Sequence, residues 1–289
     1  MSETVGFVGL GNMGGPMSAR LVRAGFRVNG FDPAADARDA LTEAGGTAVP
    51  KLAGAVAGAA TVVLMLPNSD IVSATVRDEG FVAGPGTVVV DMSSSEPLRT
   101  RELAAELKER GVTLLDAPVS GGVTRARAGT LTIMTGGDPT DLARVSPVLS
   151  AMGTTTRAGD VGSGHAVKAL NNLLSATHLL VTSEAMLAGE KFGLDPEVML
   201  EIFNRSSGRS GSTENKWPDF ILPGTFDSGF GLRLMLKDMG IAVGLAEQVG
   251  TPDPLGRAAT ELWARAAEVL EAGADHTEIV NWLRKDQTR

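Results

Sequence analysis

Apolar positions in the first half of the chain come in short β-branched runs separated by amphipathic stretches. Val5 to Gly9, Arg27 to Phe31, Thr61 to Leu66, Thr87 to Asp91 and Val112 to Leu115 read as strands, and segments between them, such as Pro97 to Arg110, have helical spacing. This alternation predicts βαβ units, a parallel sheet and helices on both of its faces. Beyond Asp116 the rhythm changes to a glycine-rich loop and a strand at Thr130 to Thr135. A helix then opens with Asp138 as N-cap and Pro139 at its first position, and a short strand near Thr154 to Arg157 ends at Gly159. In the second half the strand pattern almost vanishes. Gly164 to about Phe192 reads as one long helix, with Val167, Leu170, Leu173, Leu174 and Val181 supplying its apolar packing faces. Asp-Pro caps at Asp195-Pro196 and Asp253-Pro254 open two further helices, and a last one starts near Asp275 with Glu278 at its third position. Gly162 and Gly164 place a boundary, giving an α/β domain over residues 1–162 and an all-helical one over 163–289.

The composition narrows the function classes. At 289 residues, 43% hydrophobic and 21% charged, the chain is an ordinary folding sequence long enough for two domains. Its densest apolar run, Val62 to Leu66, stops at Pro67, so no membrane span is expected. Met1-Ser2-Glu3-Thr4 is acidic and leads straight into a strand, unlike a signal peptide, and the expected location is cytoplasmic. Without cysteine, and with His165, His178 and His276 far apart in sequence, no metal site is expected. A net charge of −8 argues against nucleic acid as a partner, so an anionic ligand must be held by a local arrangement.

Such an arrangement is present near the start. Gly9-Leu10-Gly11-Asn12-Met13-Gly14 fits G-x-G-x-x-G between a strand and a helix expected from about Met13 to Ala24. Gly9 permits the tight turn, Gly11 lets a pyrophosphate approach the backbone, and Gly14 lets helix and strand pack closely. In a chain with 36 glycines such a match also arises as ordinary loop chemistry. The second strand, however, ends in Phe31-Asp32-Pro33, placing a carboxylate where a ribose 2′-hydroxyl partner belongs. Asp32 favours NAD and repels the extra phosphate of NADP, and Pro33 stands where an arginine could have neutralised that phosphate. NADP stays possible through Arg38 on the following helix.

Asp116-Ala117-Pro118-Val119-Ser120-Gly121-Gly122 follows the last parallel strand, at the sheet edge where open α/β folds bind ligands. A Ser-Gly-Gly turn with exposed N–H groups suits a carboxylate, and an ordinary turn would look the same. The long helix carries Lys168 and Asn172 at i and i+4 on one face. A helix lysine is usually a solvated surface charge, but this one sits among apolar residues and two asparagines.

Together, Gly6 to Gly14, Asp116 to Gly122 with Gly129-Thr130-Leu131, Gly164 to Asn172, and Lys237-Asp238 resemble the β-hydroxyacid dehydrogenase family of the 3-hydroxyisobutyrate dehydrogenase type. The resemblance spans nearly the whole chain. It implies a Rossmann domain followed by an all-α domain built on a long interdomain helix, which carries the substrate cleft and the contacts of a homodimer or homotetramer. It implies hydride transfer between a nicotinamide cofactor and a small β-hydroxy acid. Lys168 is then the catalytic acid–base, Ser120, Gly121, Gly122 and Asn172 surround the substrate carboxylate, and Leu66, Pro67 and Ser94 border the cofactor. Lys237 stands near both cofactor and substrate. A lysine in the base role needs burial, because an amine with an ordinary pKa of about 10.4 is a poor base at neutral pH. Relatives that reduce imines carry an acid or a tyrosine at the position of Lys168, so the lysine points to alcohol chemistry. Arg125, two positions before Arg127, and the segment Ser206-Ser207-Gly208-Arg209-Ser210 depart from common relatives and are candidates for substrate choice. Two alternatives stay open, namely a semialdehyde reductase of the tartronate or succinic type and a cofactor-binding protein without chemistry.

Overall fold

The β-branched runs form strands in the order along the sheet that a dinucleotide-binding fold requires. In the computed structural model, which describes residues 3–286, β1 (Thr4–Val8), β2 (Arg27–Phe31), β3 (Thr47–Ala48), β4 (Thr61–Leu64), β5 (Val88–Asp91) and β6 (Thr113–Asp116) are parallel, in the order β3-β2-β1-β4-β5-β6. β1 therefore has β2 on one side and β4 on the other, and the reversal of strand order there opens a crevice at the carboxyl ends. Alternate residues point to opposite faces of the sheet. Val63, Val88, Val90 and Leu115 enter one apolar core with Phe7, Met17 and Leu21, while Val62, Leu64, Val89 and Leu114 enter the other with Leu103 and Leu107.

Three more strands extend the sheet. β7 (Val119–Ser120) and β6 are antiparallel to β8 (Leu131–Gly136), which pairs in parallel with β9 (Gly153–Gly159). Two of the nine strands, β3 and β7, consist of two residues each, and neither is foreseen by the hydrophobic pattern. β7 corrects the expected glycine-rich loop after Asp116. The Ser-Gly-Gly segment is a strand-to-helix junction, because the Val119 and Ser120 backbone pairs with Ile133 and Thr132. The helices of this unit are α1 (Gly14–Arg23), α2 (Ala35–Glu43), α3 (Leu52–Val56), α4 (Ser69–Arg77), α5 (Pro97–Glu109), α6 (Gly122–Ala128) and α7 (Pro139–Ser150).

The long α8 (Ser163–Phe192) is unbroken, and the chain divides within it, between Lys168 and Ala169, into two compact units. Helices α9 (Pro196–Asn204), α10 (Leu232–Gln248), α11 (Pro254–Val269) and α12 (Ile279–Asp286) follow, with a π-helical segment at Ser212–Ile221 and a 3-10 turn at His276–Glu278. Trp217, Trp263, Leu179, Met186, Met239 and Ile279 build this unit's core. Asp138, Asp195 and Asp275 cap as expected, accepting from Thr140 N at 2.7 Å, Glu197 N at 2.8 Å and Thr277 N at 2.9 Å. Asp253 does not cap. Its carboxylate turns to Arg257 at 3.0 Å instead, an i,i+4 ion pair that competes for the same oxygens.

The packing face of α8 also needs correction. Val167, Leu170, Leu174 and Val181 are exposed at 43%, 43%, 59% and 54%, and Leu173 alone of the expected set packs against the core. The buried face is Ala176, Leu179, Leu180, Ser183, Met186 and Leu187. The helix is apolar on two sides, and periodicity reports both without telling which one its own chain covers. Among the described residues no helix is long and apolar enough to cross a membrane.

Candidate active site

The fingerprint loop closes β1 onto α1. Gly9 has φ +94°, and its N–H donates to Phe31 O at 2.9 Å. A side chain on Gly9 would strike the Met65 carbonyl, and one on Gly14 would strike the Gly9 carbonyl, so both positions need glycine for close packing. Gly11 differs, since a Cβ there meets no protein atom within 4 Å and the glycine instead leaves the approach to the backbone clear. Leu10 is buried, Asn12 is exposed, and Met13 occupies the N-cap without a side-chain bond. The first turn of α1 thus has neither a side-chain cap nor an acidic residue, and its N–H groups and dipole favour a phosphate.

Asp32 is fixed beside this loop. One carboxylate oxygen accepts from Leu10 N and the other from Ala34 N, both at 2.8 Å, and each keeps lone pairs for a ribose hydroxyl. Arg38 does reach around, donating through Nη1 to the carbonyls of Asp32 at 2.6 Å and Pro33 at 3.0 Å. The edge that would face a 2′-phosphate therefore carries a cation as well as a carboxylate. Leu66 and Pro67 follow β4, and Ser94 follows β5, all at the carboxyl end of the parallel strands. Leu66 N donates to Ser93 Oγ at 2.9 Å and ties the two loops together. An open Gly11, an uncapped helix terminus and a carboxylate with spare acceptors fit a nicotinamide dinucleotide.

At the carboxyl ends of β5 and β6 lies a polar node that the sequence pattern does not reveal. Asp116, at the end of β6, is fully buried and accepts from Gly162 N at 2.6 Å and His165 N at 2.9 Å. His165 Nε2 faces the Ser93 carbonyl at 3.1 Å and must donate to it, while Nδ1 shares a hydrogen bond with Thr100 Oγ1 at 2.9 Å. Asp91, at the end of β5, accepts from Ser93 N at 3.0 Å and Ser95 Oγ at 2.8 Å. The start of α8 is thereby bonded to the ends of β5 and β6, three residues before Lys168. The traceable pattern is two aspartates, each closing a strand directly after buried apolar residues, a costly place for a carboxylate unless backbone N–H groups await it.

Ser120 is half-buried at the end of β7, and Gly121, at φ +129°, leads into Gly122 at the first position of α6. A short helix opened by two glycines without a side-chain cap leaves N–H groups suited to a carboxylate. Arg125 and Arg127 are exposed on α6. The aliphatic part of Arg125 crowds Gly121, and its guanidinium belongs to the surface. Lys168 is only 5% exposed.

In the second unit Asn172, also 5% exposed, donates through Nδ2 to Asp238 Oδ2 at 2.6 Å and accepts at Oδ1 from Asn171 at 3.2 Å. Lys237 Nζ lies 3.7 Å from Asp238 Oδ1. Asn172, Lys237 and Asp238 are thus brought together, and Asp238 joins the candidate residues as the group that orients the amide. Ser206 to Arg209 are exposed and Arg209 pairs with Glu214 at 2.6 Å, while Ser210 accepts from Ser212 N and Thr213 N as the π-helical segment begins.

Comparisons with known proteins agree with this geometry. Residues 4–162 match the NAD binding domain of 6-phosphogluconate dehydrogenase, and residues 162–283 match the family described as NAD-binding of NADP-dependent 3-hydroxyisobutyrate dehydrogenase. The chain is 40% identical to the NAD-dependent L-serine dehydrogenase of Pseudomonas aeruginosa over 271 residues, 90% of this chain and 91% of that protein. It is also 40% identical to the 3-hydroxyisobutyrate dehydrogenase of the same organism, over 94% of each chain. A solved structure of Mycobacterium tuberculosis 3-hydroxyisobutyrate dehydrogenase with L-serine superposes with a TM-score of 0.93 at 35% identity, covering 98% of this chain and 100% of that one. The dinucleotide loop, the α/β unit followed by a helical one, and these relatives together place the chain in the β-hydroxyacid dehydrogenase family, as an NAD(P)-dependent oxidoreductase.

Proposed function

We propose that this chain interconverts a small β-hydroxy acid and its semialdehyde, with Lys168 as general acid–base. The observation that carries the reading is the pair of buried polar side chains on α8, Lys168 and Asn172, one helical turn apart. A buried ammonium on a rigid helix is poised to exchange a proton with a carbinol oxygen. When bound, the nicotinamide accepts or returns the hydride. Ser120 and the Gly121–Gly122 backbone hold the substrate carboxylate, and Asn172, its amide fixed by Asp238, adds a donor. Lys237 supplies positive charge toward the same anion and the cofactor. In the oxidative direction Lys168 takes the hydroxyl proton, and in the reductive direction its ammonium polarises the carbonyl and gives the proton back.

The substrates for which these relatives are named, L-serine and 3-hydroxyisobutyrate, are 3-hydroxypropanoates bearing one small group at Cα. They support a substrate of that class here. The meeting of the two family models at residue 162 supports functional domains of 1–162 and 163–289. The exposed apolar stripe of α8 supports a homo-oligomer. Replacement of Lys168 by alanine tests the central claim. We expect kcat to fall by roughly 10²-fold or more while dinucleotide binding, followed by fluorescence titration, is retained. Near-parental kcat would remove Lys168 from the chemistry.

A further inference from the structure

Lys168, Asn172 and Ser175 occupy positions i, i+4 and i+7 of α8 and so share one face, with Ser175 about 10 Å along the axis from Lys168. The first two carry the chemistry and the carboxylate contact in the reading above. The third is occupied by a contact that nothing so far explains. Ser175 Oγ accepts from Lys216 Nζ at 2.7 Å, bringing a second lysine to this face from the π-helical segment.

Lys216 is half-buried and poorly compensated for a cation largely withdrawn from water. Among the described residues its hydrogen bond is to a hydroxyl, and no carboxylate forms an ion pair with it. Asp275 acts on it only through space, because that carboxylate is taken by Ser228, Gly229 and Thr277. Burial pushes the ammonium down to about 8 against the pull of Asp275. One N–H is used by Ser175, leaving two donors on a desolvated positive group. A brace between two helices needs no charge, and a methionine or leucine would serve at lower cost.

We propose that Lys216 is a specificity residue that receives a second, anionic substituent carried by the α-carbon of the substrate, so that the site accepts dicarboxylic β-hydroxy acids. This rests on the β-hydroxyacid dehydrogenase reading. A carboxylate there would gain a charge-assisted hydrogen bond and restore a counter-ion to the lysine.

The test compares kcat/KM of the full chain on 3-hydroxyisobutyrate and on (hydroxymethyl)succinate, with NAD and NADP, for the parent, Lys216→Met and Lys216→Arg. Lys216→Met should lose about tenfold or more on the dicarboxylate relative to the monocarboxylate, mostly through KM, and Lys216→Arg should recover part of that loss. A second measurement needs no variant. The titratable groups acting on Lys216 are Asp275 and His276 of the 3-10 turn. Asp275 is held below the ordinary carboxylate range and burial holds His276 below its own, so neither changes charge near pH 8. The parent's dicarboxylate-to-monocarboxylate ratio should therefore fall as pH rises through about 8, and taking the ratio removes pH effects common to both acids. Equal losses on both acids, an unchanged ratio in Lys216→Met, or a parent that turns over only the monocarboxylate would overturn the proposal. Absence of turnover of both acids by the parent would instead overturn the dehydrogenase reading, and the proposal with it.

Discussion

Asp32 and Arg38 show how two residues six positions apart set opposing preferences. The carboxylate is pinned by two backbone N–H groups, and the guanidinium is pinned by the carbonyls on either side of the Asp32–Pro33 bond. Neither is free to swing away from a ligand at this edge. Asp32 accepts from a ribose diol and repels a 2′-phosphate, while Arg38 offsets part of that repulsion. We expect kcat/KM to favour NAD in the parent, Asp32→Ala to narrow the gap, and Arg38→Ala to widen it, each read from paired NAD and NADP kinetics. Lys216 makes a prediction about stability. Its folded value near 8 lies below the unfolded value near 10.4, so the unfolded chain binds more protons between them and stability rises with pH across that window. Below about pH 8 the penalty is fully present. Lys216→Met should therefore be more stable than the parent at pH 7, by on the order of 1 kcal/mol, and its Tm should lack the rise between pH 8 and 10. A less stable Lys216→Met would mean that the Ser175 bond outweighs the burial of charge.

At the scale of elements, the start of α8 is the part on which the proposed chemistry of Lys168 depends most. Asp116 holds Gly162 and His165 by their backbone N–H groups, and a side chain on Gly164 would collide with Asp116 and the Met134 carbonyl. Asp116→Asn keeps the shape but turns an acceptor into a donor facing another donor, at a cost of roughly 1 to 3 kcal/mol. Tm should fall accordingly, and kcat should drop with KM for the dinucleotide little changed, because Lys168 sits on the loosened turn and the fingerprint loop does not. A drop in dinucleotide affinity equal to the drop in kcat would point to general damage. This node also marks the limit of sequence reading. β2 and α8 were legible to within a residue because β-branched runs and an uninterrupted helical period leave little choice. Gly9 and Gly14 are legible because each answers a local steric demand, and Gly11 because a ligand must approach the bare backbone. β7 and the Asp116–His165 node were not, since a two-residue strand exists only through its partner β8, and a hydrogen bond across 49 positions has no local trace. Asp238 belongs to the Lys237-Asp238 motif, but its bond to Asn172 spans 66 positions and appears only in the fold.

For the whole molecule, the outstanding feature is apolar surface where water would otherwise be. Leu170, Leu174 and Val181 lie along one side of α8 at 43%, 59% and 54% exposure, and Val198 and Ile202 on α9 reach 51% and 56%. Monomers seldom leave a contiguous apolar stripe of this kind uncovered, since each half-exposed side chain forfeits about half of the roughly 1.5 to 3 kcal/mol available on full burial. In the homo-oligomer proposed above, a second copy presenting the same stripe would cover it by two-fold symmetry, and each residue would contribute twice to one interface. Leu174→Glu combined with Val181→Glu would place four carboxylates in that interface, enough to abolish it, while adding charge only to positions already in contact with water within one chain. We expect light scattering to report a multiple of 29.8 kDa for the parent and 29.8 kDa for the double variant, with helical circular dichroism retained in both. The parent's Tm should rise with protein concentration and the variant's should not, because association stabilises only the folded state. A parent that runs as a monomer at assay concentrations would assign the stripe to another partner.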